Sequence, residues 1–215
     1  MNGNAARITQ RNTQRDWRST HRFVRERIVV TGTLMLETPA SFGNGDADAF
    51  TDMPLLEDEV DGLPLLTGTS IAGALRNYLR EYERGFEGQY GEWEKVLFGG
   101  YSGDEDGWQS PLIVHDARGQ ASEYELRDGV KIDLRTRTAA NDLKYDYRLL
   151  AAGTTFELRF ELLVGRPQDE AETDYRQNLM NAFAVALDGL ANGAITLGAR
   201  KRRGFGRCSV KQWEV

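Results

Sequence analysis

The sequence predicts an α+β domain, because strand patterns and helix patterns follow one another in a defined order along it. Residues 28–36 alternate between apolar and polar side chains, which is typical of a strand with one buried face. A helix pattern follows over residues 68–84, a second strand pattern covers residues 155–164, and a capping-box-like start to a second helix lies at Asp174. A last strand is expected around residues 208–213. One helix follows the first strand and the other precedes the last strand, an order that predicts a split βαβ, ferredoxin-like domain.

Both long strands have one apolar face, because side chains alternate across a strand. In the first strand the shared face consists of Ile28, Val30, Gly32, Leu34 and Leu36. In the second strand it consists of Phe156, Leu158, Phe160, Leu162 and Val164, with Glu157, Arg159 and Glu161 opposite.

The first helix begins in a turn that is rich in hydroxyl groups. Its apolar stripe is Ile71, Leu75, Tyr78, Leu79 and Tyr82. Thr69 or Ser70 is expected to cap the helix, which is expected to end at Gly85. The free N–H groups at Gly68, Thr69 and Ser70 favour an anion such as a phosphate, although an ordinary helix start gives the same pattern.

Composition and charge exclude several classes of protein. The 215 residues fit one large domain, and the formal charge of −6 argues against bulk attraction to nucleic acid but not against a local basic patch. Cys208 is the only cysteine, which excludes an internal disulfide. No apolar run is long enough to cross a membrane, so a cytoplasmic protein is expected.

Residues 1–25 are polar and rich in arginine, and they are predicted to form a flexible basic leader. An arm that becomes ordered on a neighbour or on RNA is the alternative. The domain proper is expected to cover residues 26–215.

Residues 41–61 are irregular and acidic, and most of their carboxylates are expected to be solvated. His21 and His115 are the only histidines, so the sequence offers no Ser-His-Asp set, no Cys-His pair and no zinc ligand set. If the chain carries out chemistry, the acidic loop holds the best candidates.

Two further segments are rich in cations. Residues 121–150 are predicted to form an extended arm or hairpin with its tip at residues 139–142. Residues 198–207 place Arg200, Lys201, Arg202, Arg203 and Arg207 beside glycines that let the backbone approach a ligand closely. This glycine-rich loop is predicted to bind phosphate, with Phe205 available to stack on a base.

Four segments, taken in order, resemble the RAMP (repeat-associated mysterious protein) superfamily, and more closely the repeated backbone subunit of type III CRISPR effector complexes. They are DMPLL at 52–56 with GLP at 62–64, TGTS at 67–70 with GALR at 73–76, GVKIDLRTRTAA at 129–140 with KYDY at 144–147, and LGARKRRGFGR at 197–207. The likeness covers roughly residues 28–210. The sequence departs from the family where Thr67 replaces a proline and Ala72 replaces a lysine.

The resemblance implies a modified, RNA-recognition-like ferredoxin fold with a long loop after the first strand and a β-hairpin thumb at about 128–147. It implies that copies stack along a guide CRISPR RNA and that Asp52 cuts target RNA with a divalent metal, with Mg²⁺ the expected ion. Implied partners are guide and target RNA, further copies or related RAMP subunits, and the large signalling and small subunits of a type III complex. The residues expected to bind RNA are Gly68, Thr69, Ser70, Arg76, Lys131, Arg135, Arg137, Arg200, Lys201, Arg202, Arg203 and Gly204.

Two alternatives remain at the level of sequence. One is a filament subunit of the same complex that does not cut, in which Asp52 is only part of a loop. The other is a stand-alone endoribonuclease that processes guide RNA, which requires a general base and is disfavoured by the scarcity of histidine.

Overall fold

The computed structural model of the chain describes residues 24–43, 54–86, 91–100, 109–132, 135–165 and 172–215. The strands, in chain order, are β1 (Val24–Leu36), β2 (Leu65–Leu66), β3 (Leu112–Val114), β4 (Ala117–Gln120), β5 (Tyr124–Ile132), β6 (Ala139–Leu150), β7 (Thr155–Gly165) and β8 (Cys208–Glu214). The helices are α1 (Gly68–Arg84), α2 (Glu92–Phe98) and α3 (Glu172–Ala191), and a short 3-10 turn covers Lys201–Arg203. The predicted α+β class is confirmed.

The main sheet has the order β2-β4-β7-β1-β8, and β3 pairs with β7 beside β4. Its strand pairs are antiparallel, and the longest of them joins β1 to β7 from Val24↔Gly165 to Met35↔Thr155. Both strands of this central pair were predicted from their alternation alone.

The helices cover one face of the main sheet. On β7, Phe156, Leu158, Phe160, Leu162 and Val164 are buried on that face, as predicted. They pack in one core with the inward side chains of the three helices, among them Ile71, Leu75, Leu79, Leu97, Leu179, Phe183 and Leu190. The other face of the sheet, termed the outer face below, carries the alternate side chains of β1 and β7.

Helix α1 has the predicted bounds, with Gly85 as its C-cap, but its predicted N-cap was wrong. Thr67 is the cap: its backbone is extended, and its side chain accepts a hydrogen bond from the Ser70 amide. A cap must lie just outside the first turn, and Thr69 and Ser70 are already helical. None of the helices in the described ranges is long and apolar enough to cross a membrane.

Strands β5 and β6 form a separate antiparallel hairpin. Its turn lies between Ile132 and Ala139, not at the predicted residues 139–142, which belong to β6. Arg137 occupies a left-handed conformation in this turn with φ of 56°. Alternation does not mark where a polar hairpin reverses, and no glycine or proline stands at this turn to mark it.

Close packing of the core predicts the effect of a substitution at Gly119. A Cβ atom there would lie 2.5 Å from Cε1 of Phe156, whose ring is fully buried. We expect Gly119→Ala to lower the free energy of unfolding by about 1–3 kcal/mol, because the ring has nowhere to move.

The matched control is Gly73→Ala on α1, where a Cβ atom would meet nothing within 4 Å. It is expected to stabilise the chain by up to about 1 kcal/mol, since alanine is the better helix former. Urea unfolding of both variants checks the pair. Equal stability of Gly119→Ala and the parent chain would contradict the packing described here.

Candidate nucleic-acid interface

The glycine-rich loop, taken from here with Leu197 as residues 197–207, is hydrogen-bonded to the segment that follows β1. The Ala199 amide donates to the Ser41 carbonyl at 3.0 Å, and the Gly206 amide donates to the Pro39 carbonyl at 2.9 Å. At Gly198, where φ is 84°, a Cβ atom would lie 2.5 Å from the Ser41 oxygen. The backbones are therefore too close for any larger residue, which explains this glycine physically.

The loop also closes on itself. The Leu197 amide donates to the Gly206 carbonyl at 2.8 Å, and the Gly204 amide donates to the Lys201 carbonyl at 3.0 Å. Gly204 has φ of 85° but open space around it, so its backbone conformation, not crowding, requires glycine. The result is a fixed turn that carries Lys201, Arg202 and Arg203 exposed to solvent.

Arg200 and Phe205 join this loop to the hairpin. The Arg200 guanidinium lies over the Tyr147 ring, with Cζ 4.1 Å from the ring centroid. The Phe205 ring lies 6.3 Å from the same ring, centroid to centroid. Arg207 forms an ion pair with Glu37 at 2.7 Å. Three of the predicted phosphate-binding cations thus face solvent, whereas Arg200 and Arg207 have contacts within the chain.

The two ends of the long loop after β1 lie next to each other, beside the glycine-rich loop. Gly43 bridges to Leu55, and the Leu56 amide donates to the Phe42 carbonyl at 2.7 Å. The loop that contains Asp52 therefore has its base beside Ser41 and the glycine-rich loop. Asp52 itself lies outside the described residues.

Three of the carboxylates that follow this loop, Glu57, Asp58 and Asp61, are paired with arginines. Glu57 contacts Arg148 at 3.2 Å, and Arg118 contacts Asp58 at 3.1 Å and Asp61 at 3.5 Å. The Val60 amide, followed by the Arg118 guanidinium, holds the pKa of Asp58 below its usual value. In the part of the chain that the structure describes, no three acidic, histidine or cysteine side chains form a metal-binding cluster.

The N-terminus of α1 is occupied by a carboxylate of the chain itself. The Gly68 amide donates to Oδ1 of Asp116 at 2.7 Å, and a Cβ atom at Gly68 would lie 2.2 Å from the Val114 carbonyl oxygen. Thr69 and Ser70 are exposed. This helix end lies against the β3–β4 connection, and the glycine-rich loop lies against residues 37–43, so the predicted phosphate-binding elements have different neighbours.

Arg76 connects two helices. Its Nε donates to Oε1 of Glu94 at 2.9 Å, and Glu94 is buried with 1% exposure. The Gly91 amide also donates to Glu94, at 3.4 Å. This pairing directs Arg76 toward α2, a partner that the sequence does not reveal because the two residues lie on separate helices.

The hairpin presents both cations and apolar side chains. Arg135 and Arg137 are exposed at its turn, and Lys131 lies in β5, where only the backbone is described. Leu126 and Val130 lie on the same face of β5, with Asp128 between them, and are 63% and 45% exposed. These two exposed apolar residues were not predicted from the sequence, although the alternation of Tyr124, Leu126 and Val130 with polar residues was an available signal.

Cys208 is unsuited to nucleophilic chemistry. Its thiol is buried and donates to the Ile195 carbonyl at 3.4 Å. Burial raises the pKa of this thiol to about 12, so it remains protonated at neutral pH.

Comparison with known proteins identifies the class. The fold is a mixed α+β domain with a basic glycine-rich loop beside a hairpin, and a model of the RAMP superfamily matches residues 33–209. The chain therefore belongs to the RAMP superfamily. Its fold is similar to that of a chain in the cryo-EM structure of the type III-B Cmr-beta bound to cognate target RNA, with a TM-score of 0.60 and 15% identity. The match covers 100% of this chain and 67% of that chain. Comparison with curated proteins gave no match.

Truncation of the Arg76 side chain is expected to destabilise the chain, because Arg76 is paired with the buried Glu94. Arg76→Ala leaves the buried Glu94 carboxylate with fewer donors, which we expect to cost about 1–3 kcal/mol in unfolding free energy. Lys95→Ala, an exposed substitution on the same helix α2, is the control and is expected to be nearly neutral. Thermal and urea unfolding check both variants. If the Arg76→Ala variant is as stable as the parent chain, the Arg76–Glu94 pair does not contribute to stability.

Proposed function

We propose that this chain is a backbone subunit of a type III CRISPR ribonucleoprotein and that it holds guide RNA by its phosphate backbone. Membership of the RAMP superfamily and the likeness to a Cmr-beta chain from an RNA-bound complex support this assignment. We also assign the main sheet and its helices to a modified ferredoxin-like fold. The strand order β4-β7-β1-β8, with α1 and α3 on one face, supports that assignment.

The observation that carries the proposal is the geometry of the glycine-rich loop. Lys201, Arg202 and Arg203 are exposed on a turn whose backbone is held at both ends by residues 39–41. Fixed cations on a rigid turn neutralise phosphates without reading base edges, as sequence-tolerant RNA binding requires. A guide of any sequence can then occupy the same site.

The hairpin is proposed to act as the thumb, at about residues 128–147. Arg135 and Arg137 are exposed at its turn, and Lys131 precedes them in β5. The exposed Leu126 and Val130 are available to bases that the thumb displaces. The contact between Arg200 and Tyr147 supports a fixed angle between this thumb and the glycine-rich loop.

Target cutting is assigned to Asp52. The base of its loop lies beside the glycine-rich loop, which supports a position near bound RNA. Asp52 would hold a divalent metal, with Mg²⁺ expected, which would supply charge stabilisation at the phosphate and activation of the ribose hydroxyl. Glu57, Asp58 and Asp61 are held by arginines, so they are poor substitutes for Asp52.

The assembled state follows from the same assignment. Guide RNA, target RNA and further copies or related RAMP subunits are the proposed partners, together with the large signalling and small subunits of a cytoplasmic type III complex.

Loss of the exposed cations tests RNA binding. Arg202→Ala with Arg203→Ala is expected to weaken guide binding equally for all sequences. It is also expected to lower the dependence of log affinity on log salt, by about 0.7 for each lost phosphate contact. The control is Arg84→Ala with Lys95→Ala, which removes the same charge from exposed helix positions. A salt slope that is unchanged in the first variant would reduce the loop to a solvated surface.

Asp52→Asn tests cutting in the assembled complex. The amide keeps the size of the side chain and removes the charge that a hard cation requires. We expect target cutting to be abolished while guide and target affinity remain nearly intact, and we expect metal chelation of the parent complex to have the same effect. Denaturing gels of labelled target RNA measure the cutting.

Asp48→Asn, in the same acidic loop, is the control and should cut normally. Metal-dependent cutting that persists in Asp52→Asn would assign the chemistry to another residue. A parent complex that binds target and never cuts it would establish the non-cleaving filament subunit instead.

A further inference from the structure

A buried carboxylate on the outer face of the sheet gathers three basic side chains. Glu161 of β7 accepts hydrogen bonds from Arg27 of β1, from Arg159 of β7 and from His115, which follows β3. These four residues are termed the Glu161 cluster. They lie on the face opposite the helices, because Val29 pairs with Glu161 and Arg159 pairs with Thr31 in the same alternation.

The carboxylate is enclosed, whereas its partners are open to solvent. The side chain of Glu161 is 4% exposed, and those of Arg27, Arg159 and His115 are 60%, 48% and 40% exposed. Arg27 Nε lies 2.7 Å from Oε2, Arg159 Nη2 lies 3.1 Å from Oε1, and His115 Nε2 lies 3.0 Å from Oε1. Hydrogen bonds from Arg27, followed by those from Arg159 and His115, lower the pKa of Glu161 to about 2. Glu161 is therefore ionised under all physiological conditions.

The cluster retains excess positive charge and free hydrogen-bond donors. Two guanidiniums face one carboxylate, and each guanidinium directs Nε and Nη2 toward Glu161. A guanidinium has five N–H donors, so the Nη1 side of each fork is directed away from that carboxylate. Because Glu161 fixes both planes, little side-chain entropy remains to be lost when a further anion binds.

Sheet stability alone is a weak reason for this arrangement. Exposed ion pairs contribute little to folding, and burying a carboxylate costs desolvation energy that an apolar side chain at position 161 would avoid. A fixed pair of guanidiniums, each with further N–H donors, suits a phosphate, whose oxygens accept forked hydrogen bonds.

We propose that the Glu161 cluster binds a phosphodiester of single-stranded RNA on the outer face of the sheet, as a second contact separate from the glycine-rich loop. Arg27 and Arg159 donate to the phosphate oxygens, and Glu161 positions them. This inference rests on the proposed function in one respect, since it takes RNA as the ligand.

The test compares Arg159→Gln with Arg176→Gln in the full chain. Both arginines are 48% exposed on their side chains, and each is paired with one glutamate, but Arg176 pairs with Glu26 away from the cluster. Binding of a labelled polyuridine oligonucleotide is measured by fluorescence anisotropy over a salt series. Arg159→Gln is expected to lower the salt slope by about 0.7, Arg176→Gln to leave it unchanged, and Arg159→Lys to restore it.

The Arg202→Ala, Arg203→Ala variant is measured in parallel, so that the two proposals fail separately. A lower slope in that variant, with a parental slope in Arg159→Gln, would overturn the cluster as an RNA contact and leave the proposed function standing. A slope that falls in Arg159→Gln alone would support the cluster and count against the glycine-rich loop. If the parent chain does not bind the oligonucleotide, both proposals fail.

A further arm uses inorganic phosphate, and thermal unfolding confirms that each variant folds. In one outcome, phosphate stabilises the parent chain but not Arg159→Gln, and both proteins bind RNA equally. The cluster would then be a site for free phosphate, and the RNA proposal would be overturned. If the parent chain and Arg159→Gln bind RNA equally and phosphate stabilises neither of them, the cluster would be assigned to an acidic protein partner. That result would also overturn the RNA proposal.

Discussion

The antiparallel pairing of β1 with β7 is the interaction on which the rest of the structure depends. It runs from Val24↔Gly165 to Met35↔Thr155 through the centre of the main sheet. Because side chains alternate, this one register places the core residues under the helices and Arg159 and Glu161 on the outer face. A slip of one residue would exchange the two faces and expose Phe156 and Phe160. The hydrophobic core therefore fixes the position of the Glu161 cluster.

The same pairing also positions the candidate interface at the end of β1. Residues 37–43 emerge there and receive hydrogen bonds from the glycine-rich loop at residues 39 and 41, while Gly43 closes the base of the loop that holds Asp52. Ala40 bridges to Leu150 at the base of the hairpin. One short segment thus connects the three elements to which RNA binding and cutting are assigned. Their mutual arrangement depends on these backbone hydrogen bonds, to which the side-chain contacts of Tyr147 with Arg200 and Phe205 are added.

Sequence periodicity predicted the elements that have an apolar face, and it failed where the determining partner is distant. The bounds of α1 and the faces of β1 and β7 follow from local alternation, because burial on one side repeats with the period of the element. The cap at Thr67, the turn of the hairpin and the partner of Arg76 do not, since each depends on backbone angles or on a contact with another element. Of the predicted RNA-binding cations, Lys201, Arg202 and Arg203 are exposed and Arg200 stacks on Tyr147. Predicting this stacking from the sequence would require the position of the hairpin, which local patterns do not give.

An acidic chain can bind a polyanion if its carboxylates near the contact are already neutralised. The formal charge is −6, yet the described structure pairs Glu37 with Arg207, Glu57 with Arg148, Asp58 and Asp61 with Arg118, and Glu161 with two arginines. Screening at physiological salt limits each charge to about 8 Å, so RNA responds to these local groups and not to the net charge. The paired carboxylates hold arginines in place, whereas Lys201, Arg202 and Arg203 are exposed to solvent. Under the proposed function, local pairing and not total charge would decide where this chain attracts phosphate.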